Sequence, residues 1–382
     1  MSGDDQRGGL MAWFQRSALW RLKVRLQFSG WLQYVATALV GAVLLALAAL
    51  LATIDGLAGP LAWVLAALGG ALALAAVFDV VTLKLGLRPV EAIPGALERL
   101  DAFELMRARR SCRSFQPRDL TRAHLEALLE AARLHCRAER RISAAPIRLE
   151  YVAAALTVWP VVGAREFFVA IAPREYDRDA VIDVGRSLQR VVLDATRLGV
   201  ATCWIGPGAD QTSVARQLGD RFDATRDHII CVCALGYRSR LMPLAIRIMN
   251  AAMHRRLPLT ALLFADAGCT TPLATDTPPF STFARAFEAC RWSPSSYNEQ
   301  PTRCVGVLDH DGQLARVDFY SATTSRYYAA VAAGIWLANW EVGCAALGVA
   351  GRFAALPSEQ RGAASLCYDA SWIVARPPAG DP

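Results

Sequence analysis

Two uninterrupted apolar runs stand out near the start of the chain. Residues 31–53 read WLQYVATALVGAVLLALAALLAT, without a charge. Residues 61–83 read LAWVLAALGGALALAAVFDVVTL, where Asp79, near the end, is the only charge. At 1.5 Å per residue each run makes a helix roughly 35 Å long, against about 30 Å of bilayer hydrocarbon. Gly56, Gly59 and Pro60 supply a turn between them. The pattern predicts a transmembrane helical hairpin over 31–85; a buried soluble hairpin is the other reading. A cleaved signal peptide fits poorly, because the first run begins late, is too long and lacks a clear cleavage site.

Arg7, Arg16, Arg21, Lys23 and Arg25 precede the first run, and Lys84, Arg88 and Arg99 follow the second, whereas the turn carries only Asp55. This bias predicts both ends on the cytoplasmic side of an inner membrane. Trp13, Phe14, Leu19 and Trp20 interleave with the basic residues, so Gly9–Phe28 reads either as an interfacial helix or as a solvated leader. The expected organisation is a basic cytoplasmic leader (1–30), the hairpin (31–85), a linker (86–99) containing Gly86, Pro89, Pro94 and Gly95, and a body in two parts, 100–260 and 261–382.

In the body the apolar period alternates between helix-like and strand-like. Helices are expected at 121–134, 179–198, 211–219, 281–291 and 328–347, and strands at 166–172, 229–235, 303–308, 315–320 and 371–375. Helices and strands do not alternate strictly, which favours an α+β fold over a doubly wound sheet. The body also repeats. Glu130–Arg133 (EAAR) matches Glu288–Arg291 (EACR), and Leu198–Ala201 (LGVA) recurs at Leu347–Ala350. Gly185 precedes Gly199 by the same 14 residues that separate Gly334 from Gly348. Two similar halves in one chain can pack as a fused symmetric dimer.

Composition narrows the picture further. The 382 residues carry 41 Lys+Arg and 34 Asp+Glu, a formal +7 that is too small to indicate nucleic-acid binding. A hydrophobic content of 54% excludes a largely disordered chain, and a mean hydropathy of +0.26 suits a soluble body with a small membrane part. Ten cysteines without a C-x-x-C pair read as small buried hydrophobes in a reducing compartment, and no metal site is expected.

Candidate chemistry sits in four places. Arg109-Arg110-Ser111-Cys112-Arg113-Ser114-Phe115 gathers guanidiniums and hydroxyls suited to phosphate oxygens, or forms a solvated basic turn. Ser293–Pro301 (SPSSYNEQP) is dense in hydroxyl and amide groups that could meet the polar edge of a heteroaromatic ring, or is a capped turn. Thr202–Gly208 (TCWIGPG) allows close backbone approach to a planar ligand, and Cys233–Arg238 (CALGYR) ends a strand. P-loop, H-E-x-x-H, G-x-S-x-G and G-x-G-x-x-G signatures are absent from the sequence.

Together, over about 105–375, these motifs resemble the FMN-dependent nitroreductase superfamily, most closely its branch with two nitroreductase-like halves in one chain. The resemblance implies an intrachain pseudo-dimer, here behind a membrane hairpin. It implies that Arg109, Arg110, Ser111 and Arg113 hold the FMN phosphate and ribityl chain. Trp204, Ile205 and Gly206 would lie along the ring, and Pro294, Ser295, Ser296 and Asn298 would approach from the other half. Arg255 or Arg256 would complete the phosphate site. The first half lacks the SPSSYNEQP-type loop and the second lacks an RRSCR-type run, which implies one FMN per chain with no oligomer required. Gln300-Pro301 is followed by Thr302, where the family usually has tryptophan. No catalytic acid or base can be named, as the flavin carries the hydride. The activity implied is transfer of hydride from NADH or NADPH to a nitroaromatic, a quinone or a related small acceptor. The alternatives are a non-catalytic flavin-binding or regulatory module and a cofactor-free membrane scaffold.

Overall fold

A computed structural model describes residues 17–53, 58–156, 158–206, 208–362 and 366–375. Arg7, Trp13, Phe14 and Arg16 of the leader, and Asp55 and Gly56 of the turn, lie outside the described residues.

Helix α1 (Ala18–Phe28) starts at Ser17, whose Oγ accepts the Trp20 amide at 3.1 Å. It leads through Ser29–Gly30 into α2 (Leu32–Leu51); α3 (Ala58–Asp79) returns and ends in a π-helical turn, Val80–Lys84. Gly59 and Pro60, expected in the turn, instead lie in the first turn of α3, where a proline's missing N–H is harmless. Tyr34, Thr37, Gly41 and Ala48 form the buried seam of α2. A Cβ on Gly41 would sit 3.0 Å from the Gly69 carbonyl oxygen, and one on Gly69 2.9 Å from that of Gly41. The two helices thus meet backbone to backbone at a pair of small residues. The outer faces are apolar and open, with Trp63 78% and Leu74 72% exposed, as suits helices solvated by lipid.

The 86–99 segment is a strap bound to the body, not a free tether. The Arg88 guanidinium donates to the Phe115 carbonyl at 2.9 Å and to Ser239 Oγ at 2.8 Å. Glu91 accepts from Ser239 Oγ and the Arg240 amide, and Gln116 Nε2 donates to the Ala92 carbonyl.

The first half contains α4 (Ala102–Ala108), α5 (Arg122–His135), β1 (Arg148–Ala153), β2 (Glu166–Pro173), α6 (Arg178–Arg197), β3 (Ala201–Ile205), α7 (Gln211–Leu218), β4 (Asp227–Gly236) and α8 (Leu244–Ala252). Its antiparallel sheet has the order β1-β2-β4-β3. The second half contains β5 (Leu263–Phe264), α9 (Ala284–Cys290), β6 (Thr302–Leu308), β7 (Leu314–Ser321), α10 (Tyr328–Ala346), β8 (Gly351–Ala354) and β9 (Cys367–Val374), with the order β5-β6-β7-β9-β8. The helix expected at 281–291 is shorter, because Phe280–Phe283 winds as a 3-10 turn. The resulting fold is the mixed helix–sheet, nitroreductase-like arrangement the motifs imply, behind two apolar N-terminal helices.

The halves repeat in detail. With β5 set aside the two sheets share one strand order, and the pairing of the two inner strands shifts register at a matching place in each, between Ala170 and Ile171 (β2 against β4) and between Phe319 and Tyr320 (β7 against β9). Helices α6 and α10 cross where their glycines meet. A Cβ on Gly185 would strike the Val331 carbonyl oxygen, and one on Gly334 would strike that of Ile182. The contact is reciprocal, as at a two-fold axis. One continuous core spans both halves around this crossing, with Trp340 packed against Phe283, Phe287 and Trp372. Helix α10 is long and apolar enough to cross a membrane, yet 78% of it is buried inside the body, so it is the central helix of the second half. β2 reads as an unbroken apolar run because both faces are covered: Phe168, Ala170 and Ala172 face α6, and Phe167, Val169 and Ile171 face a second cluster with Phe115 and Val214.

Candidate functional site

Asp101 and Glu104 form a reciprocal capping box at the start of α4, and Arg109 closes the helix. The chain then runs extended along the open edge of β3. The Cys112 amide donates to the Thr202 carbonyl at 2.8 Å, and Ser114 and Val162 form a parallel bridge in which the Phe115 amide donates to the Val162 carbonyl and the Val162 amide to that of Arg113. Side chains alternate along such a segment. Cys112 and Ser114 turn into the protein, while Ser111 and Arg113 face a cavity of about 270 Å³.

The cavity lies between the halves. Ser111, Arg113, Trp204, Ile205 and Gly206 line it from the first half, with Ile230 and Cys231 of β4. From the second half come Pro294, Ser295, Ser296 and Tyr297 of the polar loop, and Tyr328, Val331, Ala332 and Ile335, one face of α10 at helical spacing. Met249 and Met253 close a third side, with Lys23 and Gln27 of α1.

The polar loop is held from beneath. Gln189 Nε2 donates to Asn339 Oδ1 at 3.1 Å, and Asn339 Nδ2 to Ser293 Oγ at 2.7 Å, a buried relay from the helix crossing to the loop. Tyr297, Asn298 and Gln300 all have φ between 50° and 59°, in the left-handed region. Such backbone persists only where its surroundings fix it. Here the Gln300 amide donates to Ser295 Oγ at 2.9 Å, the Leu257 amide to Gln300 Oε1 at 2.8 Å, and Asn298 Nδ2 to the Arg255 carbonyl at 2.6 Å.

Arg109, Arg110, Arg256 and Asn298 do not line the cavity; they form a cationic group behind the loop. Arg256 donates to Asn298 Oδ1. Arg110 and Arg256 lie over the Trp292 ring, 4.6 and 5.7 Å from its centroid, and Arg291 lies 5.9 Å away. Arg255, the other candidate, contributes its carbonyl and leaves its side chain exposed. Arg109 is almost wholly buried and its Nη1 has no hydrogen-bond partner; Nε of Arg113, Arg256 and Arg291 are likewise buried and unpartnered. Burial, then the neighbouring charges of Arg256 and Arg110, lower the Arg109 pKa to about 10, and no carboxylate is among its charged neighbours. Burial and the repulsion of Arg110 and Arg291 bring Arg256 to about 10 as well. A buried, unpaired guanidinium is costly, and here an anion would satisfy it. The cavity can therefore take a flat, largely apolar ligand whose anionic end meets Arg113 and Ser111 on its wall, with the cationic group behind the loop adding to the positive field.

Trp292, Asn250, the α10 face, the two methionines and α1 join the site without a motif of their own in the sequence. Trp292 sits between two motifs that were recognised, and Tyr328, Val331, Ala332 and Ile335 follow a helical stripe that was available to be read. Asn250, which accepts from Arg113, carried no local signal.

Residues 101–342, more than half of the chain, match the sequence profile of the family described as "Putative TM nitroreductase". Curated protein sequences contain no match. Among solved structures, the chain is similar to a "putative nitroreductase" from Thermotoga maritima, at 15% identity over 75% of this chain and 98% of that one, with a TM-score of 0.43. It is also similar to a nitroreductase with bound FMN from Desulfitobacterium hafniense, at 20% identity over 38% of this chain and 93% of that one, with a TM-score of 0.30. A third, also with bound FMN, comes from Bacteroides fragilis, at 19% identity over 38% and 92%, with a TM-score of 0.30.

Proposed function

The chain belongs to the family described as "Putative TM nitroreductase", and from that premise we propose a membrane-anchored, FMN-dependent oxidoreductase. It takes hydride from NADH or NADPH and reduces a nitroaromatic, a quinone or a related small acceptor. The observation that carries this reading is the slot between Trp204–Gly206 and the α10 face with Ser111 and Arg113 on its wall, backed by the unpartnered Arg109 and by Arg256, which bonds Asn298 of the loop that lines the slot. Charge-assisted bonds from guanidiniums suit a phosphate. The residues present thus fit FMN: Arg109, Arg110, Ser111, Arg113 and Arg256 at its phosphate and ribityl chain, and Trp204, Ile205, Gly206, Pro294, Ser295 and Ser296 around its ring. Asn298 acts through Arg256, which it orients. Bound there, FMN supplies the group that accepts and donates hydride. The protein binds and orients it, and the apolar walls from α10 exclude water.

In this reading 31–85 anchors the chain in the inner membrane, 1–30 and the body face the cytoplasm, and the body divides into halves at about residue 260. The open apolar faces of α2 and α3 support the anchor, and Arg21 and Arg25, exposed on α1, support the orientation. The test is optical. Purified full-length protein should show flavin absorbance that NADH or NADPH bleaches anaerobically. Colourless protein that cannot be loaded with FMN would overturn the reading. Bound flavin that neither nicotinamide reduces would leave a binding module without turnover.

A further inference from the structure

The elements that close the cavity on its third side belong to the membrane end of the molecule. Helix α1 joins the first span directly, and its Lys23 and Gln27 line the cavity. Helix α8 packs against both spans, and its first amide, that of Leu244, donates to Asp79 Oδ2 at 2.8 Å, at the end of α3. Met249, on α8, and Met253, one turn further on, face the same cavity. The bilayer boundary is marked close by: Lys84 Nζ reaches back to the Ser29 carbonyl at 3.3 Å and lies 5.1 Å from the centroid of the Trp31 ring, an interfacial aromatic beside a snorkelling lysine. On their open sides α1 and α8 present Leu22 and Ile248, 52% and 63% exposed. A mouth framed this way adjoins the headgroup layer.

The geometry points to an acceptor drawn from the bilayer: a tail-bearing quinone, whose ring enters between α1 and α8 while its hydrocarbon chain stays in lipid. This rests on the FMN and anchor readings above and narrows the acceptor they leave open. The thioethers of Met249 and Met253 are flexible and polarisable, which suits a passing ring or chain. Lys23 and Gln27 offer donors to a quinone oxygen at the same opening. The exchange balances: the quinone takes up two electrons and two protons to become the quinol, and the reduced nicotinamide gives up a hydride while the medium gives a proton.

Two measurements on full-length protein in lipid nanodiscs test this. In the first, a photoreactive azidobenzoquinone with a decyl tail is crosslinked and the adducts mapped. Adducts within 17–28 and 244–253 support the entry route, whether or not flavin is bound; adducts confined to other segments overturn it. In the second, NAD(P)H-driven reduction of a decyl-tailed benzoquinone is compared with that of its tail-less parent at equal total concentration. The tailed compound should react about tenfold faster, because partitioning concentrates it at the mouth. Leu22→Glu and Ile248→Glu, which alter only the lipid-facing sides of α1 and α8, should erase most of that advantage while flavin bleaching by NAD(P)H is unchanged. Equal rates for the two quinones, with bleaching intact, overturn the proposal. Loss of bleaching in the wild-type protein would instead count against the FMN reading, and the crosslinking map still decides the route.

Discussion

Arg109 has a charge that nothing in the described protein answers, and that makes it the most informative single side chain. Arg109→Ala and Arg113→Ala should each weaken FMN binding by about ten- to hundredfold, the equivalent of about 1.5–3 kcal/mol per charge-assisted contact; equilibrium titration of flavin fluorescence measures this. Arg113→Lys should recover part of the loss, since a point charge cannot replace the fork. Arg109→Met should have the opposite effect on flavin-free protein. Removing a buried unpaired charge should raise its stability by about 1 kcal/mol or more, seen as a higher melting temperature without FMN. A lower one would mean that Arg109 is a structural cation with a partner inside the protein. The thiols follow burial. Cys112 and Cys231 are pushed up to about 12 by desolvation, whereas Cys367 is exposed. Alkylation of native protein at neutral pH should therefore mark Cys367 well before Cys112 or Cys231. At this scale the sequence was informative where side-chain chemistry is concentrated in a short run, as in Arg109–Arg113 and Ser293–Asn298. It was silent where a contact joins distant segments, as with Arg113 and Asn250, or Arg256 and Asn298.

Most elements of seven residues or more were legible, α4 and α8 excepted, and the shorter ones were not. α5, α6, α7 and α10 lie within about a residue of their expected bounds, because each has two turns or more of periodic pattern. β3 was hidden in a motif read for its glycines, β8 has four residues, and β1 is an edge strand with one side half-open, so none shows a clean period. Hydropathy already sets α10 well below α2 and α3, in keeping with its expected place in the body. Burial, which depends on tertiary partners, separates them further. The α6–α10 crossing permits a sharp test. Gly334→Ala would put a methyl group onto the Ile182 carbonyl, backbone against backbone, with no flexible neighbour to yield. It should destabilise the body by at least the roughly 1–3 kcal/mol of ordinary overpacking, read as a fall in melting temperature. In the membrane, a reporter fused at the C-terminus should be active only in a cytoplasmic form. Periplasmic activity would exclude the proposed topology.

At the scale of the whole molecule, the repeat explains why two matching halves would make one site. The residue offset that carries Gly185 onto Gly334 also carries Trp204 onto Phe353, and Arg186 onto Ile335. Where Trp204 and Ile335 flank the cavity, their counterparts fill the equivalent space: the Arg186 guanidinium lies 4.8 Å from the centroid of the Phe353 ring. Arg186 is fixed there by Asp183 at 3.1 Å, Glu341 at 3.4 Å and the Arg140 carbonyl at 2.6 Å. Asp183 also accepts the Ile142 and Ser143 amides, in the stretch where the second half has its polar loop. The repeated tetrapeptides revealed the duplication in the sequence, but not the filling of the second site, because Arg186 reads there as one more polar face on a helix. The flavin-to-chain ratio of the purified full-length protein, saturated with FMN and freed of excess, tests this account most directly. The account predicts one flavin per chain, and a ratio of two, or of none, would contradict it.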